Sequence, residues 1–240
     1  MEQINIPGRT TDVMRRAFAG IYQGRPGPVM VEIPSDIALE EVPDATIQWG
    51  KSFPNLSSSG NPKDVDAAAH ALITARYPVI HAGQGVLYAD ATDELIELAE
   101  LLSIPVMTTL LGKSAFPETH SLALGSGSGV MSGTLHHFMQ RADIVFGIGC
   151  SFTKHGMSMN IPEGKTMIHS SNDDRDINKD YNIDLPIVGD AKLVLRQMID
   201  ACKEIVEDGR KNDQSTAKEI QTEREGWLGE WRAKLSDSST

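Results

Sequence analysis

The chain has 240 residues, with 22 lysines and arginines against 33 aspartates and glutamates, a formal charge of −11 with histidine neutral. Affinity for nucleic acid comes mainly from cations that neutralise phosphates, so an acidic chain with scattered basic residues offers no footprint for DNA, RNA or an anionic membrane surface. A hydrophobic content of 40% and a charged content of 23% are those of a soluble globular protein, and no apolar run approaches the roughly eighteen residues that span a bilayer.

The opening Met-Glu-Gln-Ile-Asn lacks a basic region followed by an apolar stretch, so the cytoplasm is the expected compartment. Cys150 and Cys202 form no Cys-x-x-Cys pair and read as buried free thiols of a reducing compartment. The length exceeds that of the usual single domain, which points to one complete domain with flanking pieces.

From Thr11, the spacing of Met14, Ala17, Phe18 and Ile21 predicts a helix that Gly24 ends, followed by a strand over Val29 to Ile33. One helix and one strand cannot close a core, so this segment belongs to something larger. Pro43 to Pro62, with Ser57-Ser-Ser-Gly60, has the composition of a linker. Asn61 is a good N-cap with Pro62 set for the first turn, and Val65, Ala68, Ala69, Leu72 and Ile73 share one apolar face.

Strand and helix signals then alternate. Strands are expected at Val79 to Ala82, Val106 to Leu110, Ile144 to Ile148, Thr166 to His169 and Ile187 to Val188. Between them fall a helix through Leu95, Leu98, Ala99 and Leu102, a glycine-rich loop with a helix near Thr134 to Arg141, and a helix from Ala191 through Leu193, Leu195, Met198 and Ile199. Strands that are apolar throughout, separated by amphipathic helices, predict a parallel sheet covered on both faces, the doubly wound, Rossmann-like α/β class. After a polar stretch from Asp208 to Ser215, Ile220, Trp227, Leu228, Trp231 and Leu235 fall on one helical stripe.

Gly83-Gln-Gly85 follows the first strand of the sheet, where glycines let backbone N–H groups approach a phosphate. A tight turn explains the pair equally well, and the dinucleotide fingerprint fails. Tyr88 stands where its third glycine belongs, and the second strand ends in Thr108 and Thr109 without an acid for a ribose. Gly125 to Gly133 fits either an anion-receiving nest or a flexible loop. His136 and His137 are adjacent and point to different helix faces, so no metal set is expected. His81 and His169 read as satisfied structural residues at strand ends.

Five segments carry a further signal: Gly27-Pro-Val-Met-Val-Glu-Ile-Pro-Ser-Asp36, Ile104-Pro-Val-Met-Thr-Thr-Leu110, Ala115-Phe-Pro-Glu-Thr-His120, Ala142-Asp-Ile-Val-Phe-Gly-Ile-Gly149 and Leu185-Pro-Ile-Val-Gly-Asp-Ala-Lys192. In order and spacing they resemble the acetolactate synthase-like family of thiamine-diphosphate enzymes, over roughly residues 9 to 207. The resemblance implies a remnant of the pyrimidine-binding domain and the start of a linker in 1–50, the central domain in 51–207, and a linker and helix leading to a diphosphate-binding domain in 208–240. That family holds magnesium and the diphosphate through a Gly-Asp-Gly followed by Asn-Asn, and neither string occurs here.

The implied parent is a homo-oligomer that binds thiamine diphosphate and magnesium and acts on a small 2-oxo acid, with neither group bound by this segment and no catalytic residue in it. Some members hold FAD or ADP in the central domain. The nucleotide contacts expected at the carboxyl ends of the strands are Gly83, Gly85, Thr108, Thr109, Gly149, Ser151 and Asp173, although for Asp173 a loop aspartate capping a turn is the commoner case. Ser151 stands where flavin-dependent members carry an arginine, and Ser171 and Asp174 replace an acid and a proline around Asp173, which argues against flavin. A stand-alone FAD- or ADP-binding module of the same fold and a ligand-free scaffold domain remain as alternatives.

Overall fold

The first residues build only a small unit. A computed structural model describes residues 1–42, 56–206 and 214–236, and the chain divides into Met1–Ser57 and Ser58–Thr240. In the first unit, β1 (Glu2–Gln3) pairs in parallel with β2 (Val31–Glu32). Between them runs α1 (Thr10–Tyr22), and α2 (Ser35–Ala38) follows. The strand expected at Val29 to Ile33 is thus shorter than its apolar run and has a partner too brief to read from sequence. Arg16 of α1 grips the Glu2 carboxylate through Nε at 2.8 Å. Among the described residues of this unit, Ile4 and Val13 are the buried apolar ones, while Phe18, Tyr22, Met30 and Leu39 stay exposed. The expected linker at 43–62 lies mostly outside the described residues.

In the second unit, Asn61 caps α3 (Pro62–Thr74) by accepting from the Lys63 N–H at 3.1 Å, and Val65, Ala68, Ala69 and Leu72 are buried, while Ile73 is half-buried. Next come β3 (Pro78–Ala82), the short α4 (Gln84–Tyr88) and α5 (Thr92–Leu102). They are followed by β4 (Val106–Thr109), β5 (Ala123–Gly127), α6 (Gly133–Arg141) and β6 (Ile144–Ile148). The chain continues through β7 (Thr166–Ser171), β8 (Leu185–Val188), α7 (Ala191–Ile205) and α8 (Gln214–Ser236).

The six strands β3 to β8 form one parallel sheet in the order β5-β4-β3-β6-β7-β8, flanked by helices. This is the doubly wound α/β class. Three helices, α3, α5 and α7, pack together, and α6 packs with α8 and β5. Asp190 caps α7 by accepting from the N–H groups of Lys192 and Leu193. β5 is a correction to the sequence reading, which placed Gly125 to Gly127 in a loop. Ala-Leu-Gly-Ser-Gly has no β-branched residue to signal a strand, yet it pairs along the edge of β4 with a register shift between Val106 and Met107.

The last helix lies back on this unit. Ile220 is 1% exposed, the Trp227 indole sits against Gly133, and Arg224 donates to the Ala123 carbonyl. Glu219 pairs with Arg141 and with His137, the latter at 3.1 Å. The outer half of the stripe is open to solvent, with Trp231 at 45% and Leu235 at 80% exposure. Trp227→Ala should loosen this helix by roughly 1–2 kcal/mol, the worth of a half-buried indole. Amide exchange in α8 is expected to speed up about tenfold while β3 and β6 keep their protection. Unchanged exchange in α8 would show that Ile220 and the ion pairs hold it unaided.

Candidate functional site

From β3 the chain steps outward to β4 and β5, then returns to β6 and continues through β7 to β8 on the other side, so the direction reverses between β3 and β6. Open α/β sheets bind ligands outside the carboxyl ends of strands at such a reversal. Gly83 and Gly85 follow β3, Thr108 and Thr109 end β4, Gly149 and Ser151 follow β6, and Asp173 follows β7. All seven residues therefore sit along the same edge of the sheet.

Their polar groups are engaged within the chain. The Gly83 N–H donates to the Ile148 carbonyl at 2.9 Å and the Gly85 N–H to the Gly149 carbonyl at 2.8 Å. A Cβ on Gly83 would lie 2.5 Å from Cys150 Cα, one on Gly85 would lie 2.7 Å from Gly149 Cα, and Gly149 itself has φ +60°. The loops after β3 and β6 thus touch backbone to backbone, and glycine is required because no side chain fits between them. Thr108 Oγ1 shares a hydrogen bond with Ser126 Oγ, and Thr109 Oγ1 accepts from the Gly112 N–H, both at 2.9 Å. Ser151 Oγ bonds Thr153 Oγ1 at 2.9 Å. Asp173 accepts from Nε and Nη2 of Arg175, each at 2.8 Å, and from the Arg175 N–H. A nucleotide diphosphate needs N–H groups pointing outward, and those of Gly83 and Gly85 point into the neighbouring loop. At this edge neither Gly83 nor Gly85 turns its N–H toward FAD or ADP.

Beneath the loops lies an aromatic row that the sequence reading did not foresee. His81, Gly147 and His169 are in register on β3, β6 and β7. The Phe152 ring fills the space that Gly147 leaves, where a Cβ would overlap it, with centroids 5.5 Å from His81 and 4.7 Å from His169. Phe152 has φ +44°, a left-handed backbone that few non-glycine residues adopt. A glycine inside an otherwise apolar strand is the signal that could have pointed here.

Both histidines lie within their strands and are only partly satisfied, which corrects the sequence reading. His169 Nε2 donates to the Cys150 carbonyl at 2.8 Å, while His169 Nδ1 and His81 Nδ1 are buried without a partner among the described residues. Burial first, and the proximity of His169 second, push the His81 imidazole down to about 4; burial also lowers His169. Burial pushes the Cys150 thiol up to about 12, so it stays protonated at neutral pH. His136 and His137 face different partners, Gln140 and Glu219. No group of three or more His, Cys, Asp or Glu that could hold a metal ion occurs among the described residues.

The fold and its closed switch point define a Rossmann-like domain whose loops are packed on one another. The family described as "Thiamine pyrophosphate enzyme, central domain" matches residues 65–198. The chain belongs to this family. It is 35% identical over 223 residues to the "Probable acetolactate synthase large subunit" of Methanococcus aeolicus, covering 88% of this chain and 36% of that protein. It is 32% identical over 233 residues to the "Acetolactate synthase isozyme 3 large subunit" of Escherichia coli (strain K12), covering 92% and 38%. The chain thus spans a little over a third of the length of these relatives. Among solved structures it resembles the benzoylformate decarboxylase of Polynucleobacter necessarius, with a TM-score of 0.73 and 23% identity over 89% of this chain and 39% of that one, a likeness of fold.

Because His81 binds its proton less readily when folded than at its ordinary value near 6.5, the unfolded chain takes up more protons between about pH 6.5 and 4. Stability is present in full above that window and falls as the pH drops through it, by about 3 kcal/mol from this residue. His81→Leu should flatten the decline in denaturant-unfolding free energy across the window; an unchanged slope would place the effect elsewhere. Gly147→Ala should destabilise by roughly 1–3 kcal/mol, because the added methyl meets the Phe152 ring, and Gly147→Ala combined with Phe152→Leu should recover part of that loss.

Proposed function

We propose that this chain forms the central domain, with flanking pieces, of a longer thiamine-diphosphate enzyme that decarboxylates a 2-oxo acid, as in the acetolactate synthases it resembles. Its own contribution is architectural: a rigid sheet that spaces the pyrimidine- and diphosphate-binding domains and supplies contacts in a homo-oligomer. In the parent, thiamine diphosphate with magnesium supplies the carbon–carbon bond chemistry. The residues of this segment position those parts and touch no substrate.

The observation that supports this reading is the contact of the two loops at the switch point. Gly83, Gly85 and Gly149 are committed to one another, so the edge where this fold usually receives a ligand is built as a structural joint. Ser151 and Thr153 bond each other, and Asp173 is held by Arg175, which removes the remaining contacts a nucleotide would use. The ligand-free domain is therefore preferred over a stand-alone FAD or ADP module.

Calorimetric titration of the chain tests it. Neither thiamine diphosphate with magnesium nor ADP should bind saturably at micromolar concentration, pyruvate should not be turned over, and the purified protein should carry no flavin absorbance. One-to-one binding of thiamine diphosphate would overturn the non-catalytic assignment. Stoichiometric ADP or flavin would overturn the ligand-free one.

A further inference from the structure

At the opposite, amino-terminal edge of the sheet lies a cavity of about 220 Å³ at the starts of β3 and β4, between the end of α6 and the first turn of α8. Its floor is apolar, made by Val79, Leu102, Pro105 and Phe138. Its wall is the Tyr77 ring, carrying the guanidinium of Arg141 at 4.4 Å and that of Arg76 at 5.1 Å from the ring centre.

The wall is held firmly. The Arg76 and Tyr77 N–H groups both donate to the Asp143 carboxylate, at 2.7 and 2.9 Å. Arg141 is neutralised by Glu219. The Arg76 guanidinium has no carboxylate within ion-pair distance among the described residues, and Asp143 is occupied by two backbone donors. The cavity therefore pairs an apolar floor with one lining cation that has no carboxylate partner among the described residues, pre-set by stacking on a fixed ring.

We propose that this cavity binds a small organic monocarboxylate, its compact apolar body against Val79, Leu102, Pro105 and Phe138 and its carboxylate on Arg76. A single guanidinium without a carboxylate partner among the described residues matches one negative charge. A phosphate dianion would bring a second charge against the apolar floor without a partner, and an uncharged molecule would leave Arg76 unused. A planar guanidinium also suits the carboxylate geometrically, since it offers two parallel donors to two oxygens. The site is independent of the architectural role proposed above and lies at the other end of the strands.

The probes are isobutyrate, its uncharged isostere isobutyramide, and inorganic phosphate, added to the full chain and followed by amide NMR shifts. Isobutyrate should give saturable shifts at Tyr77, Leu102 and Ser103, with a dissociation constant on the order of 1 mM for so small a ligand. Arg76→Gln should weaken it about tenfold or more, and isobutyramide should bind weaker by a similar factor. Arg76 is exposed, so its loss should leave the melting temperature unchanged. The proposal is overturned by the absence of saturation up to about 50 mM. It is equally overturned by equal binding of the amide, by undiminished binding to Arg76→Gln, or by phosphate binding more tightly than isobutyrate.

Discussion

Two loops that meet backbone to backbone decide how this domain is built. The turn after β3 and the turn after β6 come so close that the only side chains tolerated at Gly83, Gly85 and Gly149 are hydrogens, and their N–H groups and carbonyls close on each other. That contact locks the two halves of the sheet at the point where the strand order reverses. It also uses the donors that an open sheet of this class ordinarily turns toward a ligand. The glycine pattern, which in sequence fits a phosphate cradle and a tight turn equally, forms a close loop-to-loop contact in the structure.

Just below the joint, the cross-strand row His81–Gly147–His169 depends on the same geometry. Phe152 reaches back from the loop after β6 in a left-handed conformation and inserts its ring over Gly147. The ring packs against both imidazoles, and one nitrogen of each has no partner among the described residues. Neutral histidines fit this buried position better than charged ones, so the loop that shapes the edge of the sheet also makes the core sensitive to acid. The two cysteines are free and buried, and burial pushes the thiols of both Cys150 and Cys202 up to about 12.

Much of the architecture was legible because it rests on local rules. Continuous apolar runs gave the central strands, the Asn61 cap and Pro62 gave the start of α3, and the alternation of elements gave the doubly wound class. β5 was not legible, since an edge strand of alanine, leucine, glycine and serine carries no propensity signal and is held by its ladder with β4. β1 is two residues long, too short for any pattern. The spacing of motifs placed all seven candidate residues along one edge of the sheet. It did not say where their hydrogen bonds go, because that is decided by loops distant in sequence. The Tyr77 cavity was hidden for the same reason: α6, α8 and two strand starts meet there only after folding.

In this central domain of the thiamine pyrophosphate enzyme family, the loops after β3 and β6 close on each other at the switch point. The claim that the glycines at this edge serve packing is open to direct test by site-resolved amide hydrogen exchange at Gly83, Gly85 and Gly149, with and without added ADP. The account predicts protection comparable to the amides of β3 in the free chain, unchanged by the nucleotide. Rapid exchange at Gly83 and Gly85 that slows when ADP is added would contradict it.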